Sequence, residues 1–207
     1  MKPFTCLTAN VLLLDEDNID TDVIFPARYL LLMQREGLGQ YFCADRRRDP
    51  AGNLLPNPVD TARVAGAGII IAGRGFGCGS SREQAVWSIA DFGITCVIAP
   101  SFGEIFSANC LRNGVLAITL PDETVRILAM HARSGPLTVD LTQGVITCEA
   151  GLVQPFSVPQ GTRERLLNGW DETGLIQKRW SGAIEEFEAS QREVQPWLYE
   201  DQRHERS

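Results

Sequence analysis

The stretch AGIIIAGRGFGCGSSREQAVWSIADFGITCVIA, residues 67–99, reads as one strand–loop–helix–strand unit. Residues 67–72 form a short apolar run rich in isoleucine, which predicts a strand buried on both faces. Glycines at 73, 75, 77 and 79 make the next segment a loop. A helix over 81–92 then stops at Gly93, and residues 95–99 form a second strand. Two strands joined through a helix of this length run parallel, because a crossover connection leaves no room for a hairpin.

The same alternation extends outward. Downstream, a helix over 102–113 follows Ser101 and stops at Gly114, strand 115–119 comes next, and a helix fits 122–133. Upstream, residues 5–14 form a first strand that ends in an acidic turn. Pro26 can open a helix running through Tyr29–Arg35, broken by Gly37 and Gly39. Residues 45–63, with Pro50, Gly52, Pro56 and Pro58 among polar residues, read as a loop excursion. The pattern changes at 137–158, where short strands over 137–141, 144–148 and 152–158 with bends at Gly144 and Gly151 read as antiparallel. Helices at 160–168 and 180–191 close the fold. The expected architecture is α/β, a mainly parallel sheet flanked by helices. One domain covers 1–190, and a polar tail over 191–207 frays from Pro196 on.

Composition narrows the function classes. With 207 residues the chain is long enough for one sizeable core. Its net charge of −7 argues against nucleic acid as a partner. The apolar stretch 64–73 is far short of the ~20 residues that span a bilayer, and the N-terminus is not a signal peptide, so no membrane partner is expected. Arg46–Arg48, the one basic cluster, reads as a solvated loop. Cys6, Cys43, Cys78, Cys96, Cys110 and Cys148 are scattered, without disulfide or metal-ligand spacing, which points to a cytoplasmic protein with no metal site of its own. Cys96 and Cys110 read as core residues, and His131 and His204 lie outside any motif.

The segment that can carry chemistry is GRGFGCGSSRE, residues 73–83. Glycines let the backbone approach a ligand, a helix N-terminus presents free N–H groups, and Arg82 can grip a carboxylate with two donors. The spacing fits neither G-x-G-x-x-G, nor G-K-[ST], nor G-x-S-x-G. Ser80 and Glu83 have capping-box spacing, as do Ser101 and Glu104, so a purely structural role for either serine stays open. Asp20 and Asp22 flank Thr21 and read first as turn formers or caps.

Taken together, DTDVIFPARYL (20–30), GFGCGSSRE (75–83), APSFGEIFSANCLRNG (99–114) and LLNGWDETGLI (166–176) resemble the small-subunit family of 3-isopropylmalate dehydratase, in its long bacterial form, within the aconitase superfamily. The resemblance spans most of residues 4–190. It implies the swivelling β/β/α domain found at the end of single-chain aconitases. It further implies a heteromeric hydro-lyase that interconverts 2- and 3-isopropylmalate by dehydration and rehydration in leucine biosynthesis. A separate large subunit would hold a [4Fe–4S] cluster through its own cysteines, this chain having no cofactor. Ser80 maps onto the family's catalytic serine and Arg82 onto the arginine that binds a substrate carboxylate. Ser81 maps onto the neighbouring serine of the carboxylate pocket, and Gly79 belongs to the glycine turn before it.

A serine is a very weak acid, so it acts as a base only where donors and positive charge hold its alkoxide. The glycine turn, the helix N-terminus and Arg82 could supply both. In the resembling family the segment after D-T-D-x-I-x-P lies near the variable part of the substrate. Here Tyr29, Leu30, Leu31 and Leu32 would give an alkyl group an apolar wall. Gln84 replaces the histidine common in GSSREH, which leaves a paralogue for another alkylmalate, such as citramalate, as an alternative. A non-catalytic module binding an anion or nucleotide is the alternative from a different class.

Overall fold

The structure, a computed structural model, describes residues 1–49 and 51–199. By its contacts the chain falls into two units, Met1–Gly169 and the residues from Trp170 on. The first runs β1 (Cys6–Leu14), α1 (Thr21–Ile24), α2 (Ala44–Arg47), α3 (Pro58–Val64), β2 (Ala67–Ala72), α4 (Glu83–Phe92), β3 (Cys96–Ala99), α5 (Glu104–Arg112), β4 (Leu116–Thr119), α6 (Asp122–Ala132), β5 (Leu137–Asp140), β6 (Val145–Cys148), β7 (Val153–Pro155) and α7 (Gln160–Asn168). The second holds α8 (Glu172–Arg179), α9 (Ser181–Val194) and a 3₁₀ turn at Pro196–Tyr199.

Side chains alternate across a strand, so the buried run of β2 feeds two core layers. Ile70 and Ala72 join Val59 of α3, Val86 and Ile89 of α4 and Phe106 of α5 on one face. Ile69 and Ile71 join Val125 and Leu128 of α6 and Leu166 of α7 on the other. Each isoleucine removed from water contributes about 2 kcal/mol. The sheet order is β4-β3-β2-β1-β5-β6-β7. β1 to β4 pair in parallel, while β5 returns antiparallel beside β1 and continues into the β6 and β7 hairpins. The expected mainly parallel core and the antiparallel 137–158 segment are both present. Gly93 ends α4 with φ 110°, and Gly144 and Gly151 sit at the hairpin bends.

Several expected elements differ. The helix expected from Pro26 to Arg35 does not form. A one-turn helix starts earlier at Thr21, capped by Asp20, and the residue before the proline, Phe25, is extended as proline demands. Beyond it, Tyr29, Leu30 and Leu32 donate backbone bonds three residues back, to Pro26, Ala27 and Tyr29, the tight pattern of short 3₁₀ turns. The loop expected over 45–63 contains two helices. In α3, Pro58 occupies the first turn and Asn57 caps it, so the proline opens a helix there. α4 starts at Glu83 and α5 at Glu104, each without a side-chain cap. The helix α8, started by an Asp171 cap, was not anticipated, and α9 runs on to Val194. Of the tail expected to fray, Pro196–Tyr199 forms the turn already named, with Tyr199 donating to Gln191 at 2.6 Å, and residues 200–207 lie outside the described residues.

Arg46–Arg48 is not a solvated loop. Arg46 makes a two-pronged bond to Glu16, and Arg48 donates to the Gly52 carbonyl at 3.0 Å. Arg47 is only 3% exposed. Its Nη1 reaches the carbonyls of Gln40 at 3.0 Å and Phe42 at 2.9 Å, and its Nε and Nη2 reach Asp60 at 3.0 and 2.7 Å. Burial works to raise the Asp60 carboxyl, but bonds from Arg47 and Asn57 hold it below its ordinary value. A carboxyl depressed on folding stabilises the protein above its unfolded pKa, about 4, and that stability fades as pH falls below it. Arg47→Ala takes the buried cation from the Gln40 and Phe42 carbonyls and leaves Asp60 with Asn57 alone, so it should cost about 3 kcal/mol in urea unfolding at neutral pH. The variant should also lose less stability than the parent between pH 5 and 3; parallel acid curves would refute the assigned pairing.

Candidate active site

Parallel β1, β2 and β3 deliver their C-terminal ends to one edge of the sheet, and residues 15–22, 73–82 and 100–103 follow from them. Ligands of open α/β sheets bind at such an edge. The glycine loop is stitched there on both sides. Toward the segment after β1, Arg74 O accepts from Asn18 N at 2.6 Å, Gly77 N donates to Ile19 O at 2.8 Å, and Cys78 O accepts from Thr21 N at 2.9 Å. Toward the segment after β3, Phe76 N donates to Ser101 O at 3.1 Å and Gly103 N to Phe76 O at 3.0 Å. The Ser101 hydroxyl accepts from Gly75 N at 2.9 Å, so this serine fastens the loop instead of capping α5.

Glycine is required where these segments touch. A Cβ on Gly77, whose φ is 72°, would overlap the Phe106 ring, and one on Gly103 would overlap the Gly77 carbonyl. Phe76 and Phe106 pack edge to face at 5.4 Å beneath the loop.

The loop ends in Ser80, Ser81 and Arg82. The capping box expected between Ser80 and Glu83 is not made: α4 has its N-cap at Arg82, and the Glu83 carboxylate accepts from Asn113 at 2.9 Å. Ser80 and Ser81 are exposed, and their hydroxyls have no hydrogen-bond partner among the described residues. Arg82 Nη1 donates to Asp22, with the arginine side chain 15% exposed and the aspartate 52%. The other guanidinium donors of Arg82 carry no hydrogen bond among the described residues.

Asp20, Thr21 and Asp22 divide three tasks. Asp20 caps α1 by accepting from Val23 N at 2.8 Å, Thr21 Oγ1 donates to the Ser80 carbonyl at 3.0 Å, and Asp22 pairs with Arg82. Reading Asp22 as a turn former missed its partner, which lies 60 residues away. The signal was the cation at Arg82 and the open side of the short helix.

The structure thus brings Gly79, Ser80, Ser81 and Arg82 together with Asp22. Tyr29 and Leu30 make no hydrogen bond to that cluster among the described residues and pack instead on the core. The Tyr29 ring lies 4.3 Å from Tyr41 and 6.0 Å from Phe25. Leu31 is 92% exposed, and with Leu32, Met33, Leu38 and Tyr41 it lines a hollow of about 300 Å³. His131 Nδ1 meets Cys148 Sγ at 3.6 Å between α6 and β6, away from the glycine loop, and His204 lies outside the described residues. Burial pushes the Cys43 thiol up to about 12 and those of Cys96 and Cys110 higher still. Among the described residues no three His, Cys, Asp or Glu side chains are placed to share a metal ion, and no helix is long and apolar enough to cross a membrane.

A parallel sheet whose glycine loop runs into Ser-Ser-Arg at a helix start, at the C-terminal edge of the strands, defines the class as an α/β domain. Residues 1–123 match the aconitase C-terminal domain family. The 3-isopropylmalate dehydratase small subunit of Rhodospirillum centenum is 47% identical over 95% of this chain and 98% of its own length. That of Gluconacetobacter diazotrophicus is 45% identical over 95% and 97%. A crystal structure of 3-isopropylmalate dehydratase from Methanocaldococcus jannaschii superposes with a TM-score of 0.66 at 27% identity, covering 87% of this chain and 99% of that one. The chain belongs to the 3-isopropylmalate dehydratase small-subunit family of the aconitase superfamily.

The stitched loop predicts unequal costs for adding one methyl group. Gly77→Ala combines a left-handed backbone with overlap on Phe106 and should cost about 3 kcal/mol. Gly135→Ala, where a Cβ meets nothing within 4 Å, should be neutral in the same urea titration. Equal costs would show that the loop is not confined as described.

Proposed function

We propose that this chain supplies the base and the carboxylate grip of an isopropylmalate dehydratase completed by a large subunit, working in the cytoplasm, where its six free cysteines would stay reduced. The observation that carries the reading is the Ser80 hydroxyl, without a hydrogen-bond partner among the described residues, two residues before Arg82 at the uncapped start of α4. Interconverting 2- and 3-isopropylmalate means removing a C–H proton beside one carboxylate while hydroxide leaves the adjacent carbon, then adding water back across the double bond with the two positions exchanged. Arg82 would bind the substrate carboxylate through the donors that Asp22 leaves free. Asp22 holds the guanidinium through Nη1 alone.

Ser80 would take the proton as an alkoxide. That form needs positive potential, which Arg82 and the free N–H groups at the α4 N-terminus offer. Ser81 and the Gly79 turn would complete the carboxylate pocket. The alkyl group would rest on the exposed apolar side chains Leu31 and Leu32, beside Tyr29 and Leu30. An isopropyl group covered there contributes about 2 kcal/mol, since each buried carbon is worth about 0.8. The [4Fe–4S] cluster is assigned to the large subunit, where it would supply a Lewis acid to the departing hydroxyl. Cys43, Cys96 and Cys110 are buried core thiols.

In the reconstituted pair, Ser80→Ala should lower kcat by about a thousandfold or more while unfolding within about 0.5 kcal/mol of the parent, because no cap is lost. Arg82→Lys should raise KM and lower kcat, reducing kcat/KM by about a hundredfold, because a point ammonium cannot replace the planar grip. Near-parental turnover in either variant would overturn the assignment. Leu31→Arg, at a site exposed enough to spare the core, should lower kcat/KM for isopropylmalate about tenfold and improve the relative rate with a tricarboxylate. An unchanged ratio would remove this segment from substrate recognition and leave the dehydratase reading standing.

A further inference from the structure

Residues 26–34 form a strap whose two ends are fastened to the elements that carry Ser80 and Arg82. At its near end α1 is tied to the glycine loop through Thr21, whose N–H and hydroxyl donate to the carbonyls of Cys78 and Ser80. At its far end the Arg35 guanidinium lies over the Trp87 indole of α4, 4.7 Å from the ring centroid. Trp87 is one turn into the helix that begins after Arg82. Its indole N–H is buried and has no hydrogen-bond partner among the described residues, so the ring offers its face to the cation and nothing to a polar neighbour. A guanidinium over an indole face is the favourable form of the cation–π contact.

Between these fastenings the strap presents Leu31 at 92% and Met33 at 70% exposure. Apolar side chains this open do not hold their own backbone in place by burial. The segment after Arg35 is anchored separately: Gly37 has φ 83°, Gly39 N donates to Asp91 at 2.7 Å on α4, and Arg47 binds the carbonyls of Gln40 and Phe42. Arg35 is therefore the contact with α4 on the C-terminal side of the leucines, while on their N-terminal side Tyr29 packs against Tyr41 and Phe25.

We propose that Arg35 is a positioning residue for substrate selectivity: its stack on Trp87 sets where the apolar strap stands relative to the Ser80–Arg82 end of α4, and so how well an alkyl substituent is covered. This rests on the dehydratase reading above. Arg35 touches neither the proton nor the carboxylate in that reading, so its loss should weaken binding of the alkyl group and leave the chemical step intact.

The test uses the reconstituted pair with 2-isopropylmalate and with citramalate, which carries a methyl where the first carries isopropyl. Arg35→Ala should raise KM for isopropylmalate about tenfold, keep kcat within about twofold and leave kcat/KM for citramalate nearly unchanged. Arg35→Lys, which keeps a cation for the indole, should recover most of the loss. Arg35→Gln, which keeps length without charge, should behave like Arg35→Ala and serves if the alanine variant assembles poorly. Equal losses for both substrates, a fall in kcat, or no change with either substrate overturns the positioning role. A parental pair that turns over neither alkylmalate would instead overturn the dehydratase reading, and this inference with it.

Discussion

The close approach of the glycine loop to its two neighbours is the constraint on which the rest of the site depends. Gly77 and Gly103 pass with no room for a side chain on either, and the loop backbone shares its hydrogen bonds with the segments after β1 and β3. A loop held this way cannot choose its own exit direction. It must release the chain at Ser80 already pointed into α4, with hydroxyls that find no partner among the described residues and a helix start that no side chain caps. The unsatisfied groups are left open by a rigid surround, which is the arrangement anion chemistry needs, because donors that need not reorganise stabilise charge better than mobile ones.

Arginines organise what the glycines leave free. Arg47, buried among carbonyls, fastens the 3₁₀ turn Leu38–Tyr41 and the following Phe42 from outside, and Asp60 balances its charge. Arg82 is held by one edge on a half-exposed Asp22, so it is oriented without being used up. The planar fork of the guanidinium allows both uses: several donors in fixed directions can serve carbonyls, a carboxylate and a ligand at once. An ammonium at either position would offer charge without direction.

The sheet explains why these features meet. Four parallel strands end at the same edge, and the segments after three of them make the glycine loop and its two neighbours, while β5 to β7 fold back on the opposite side of β1 and carry no site residue. The two core layers on the faces of β2 fix the strands' register, and with it the height at which each loop emerges. Isopropylmalate chemistry, in the reading proposed, uses that edge with a partner subunit completing it.

Much of this was legible in the sequence because it is local. Runs such as Ala67–Ala72 state their burial in three consecutive isoleucines, and glycines after helices state where each must stop, so the order of strands and helices and the place of the glycine loop followed from residues near one another. Other features were a contest between a near partner and a distant one of similar strength. Ser80 could have capped α4 and Ser101 could have capped α5, each worth about 1 kcal/mol. Instead Glu83 went to Asn113 and Ser101 to Gly75. The pairing of Asp22 with Arg82, the burial of Arg47 and the exposure of Leu31 were decided the same way. A sequence states which side chains can be capped, paired or buried; when the alternatives differ by so little, only the three-dimensional packing that brings one partner within reach selects among them.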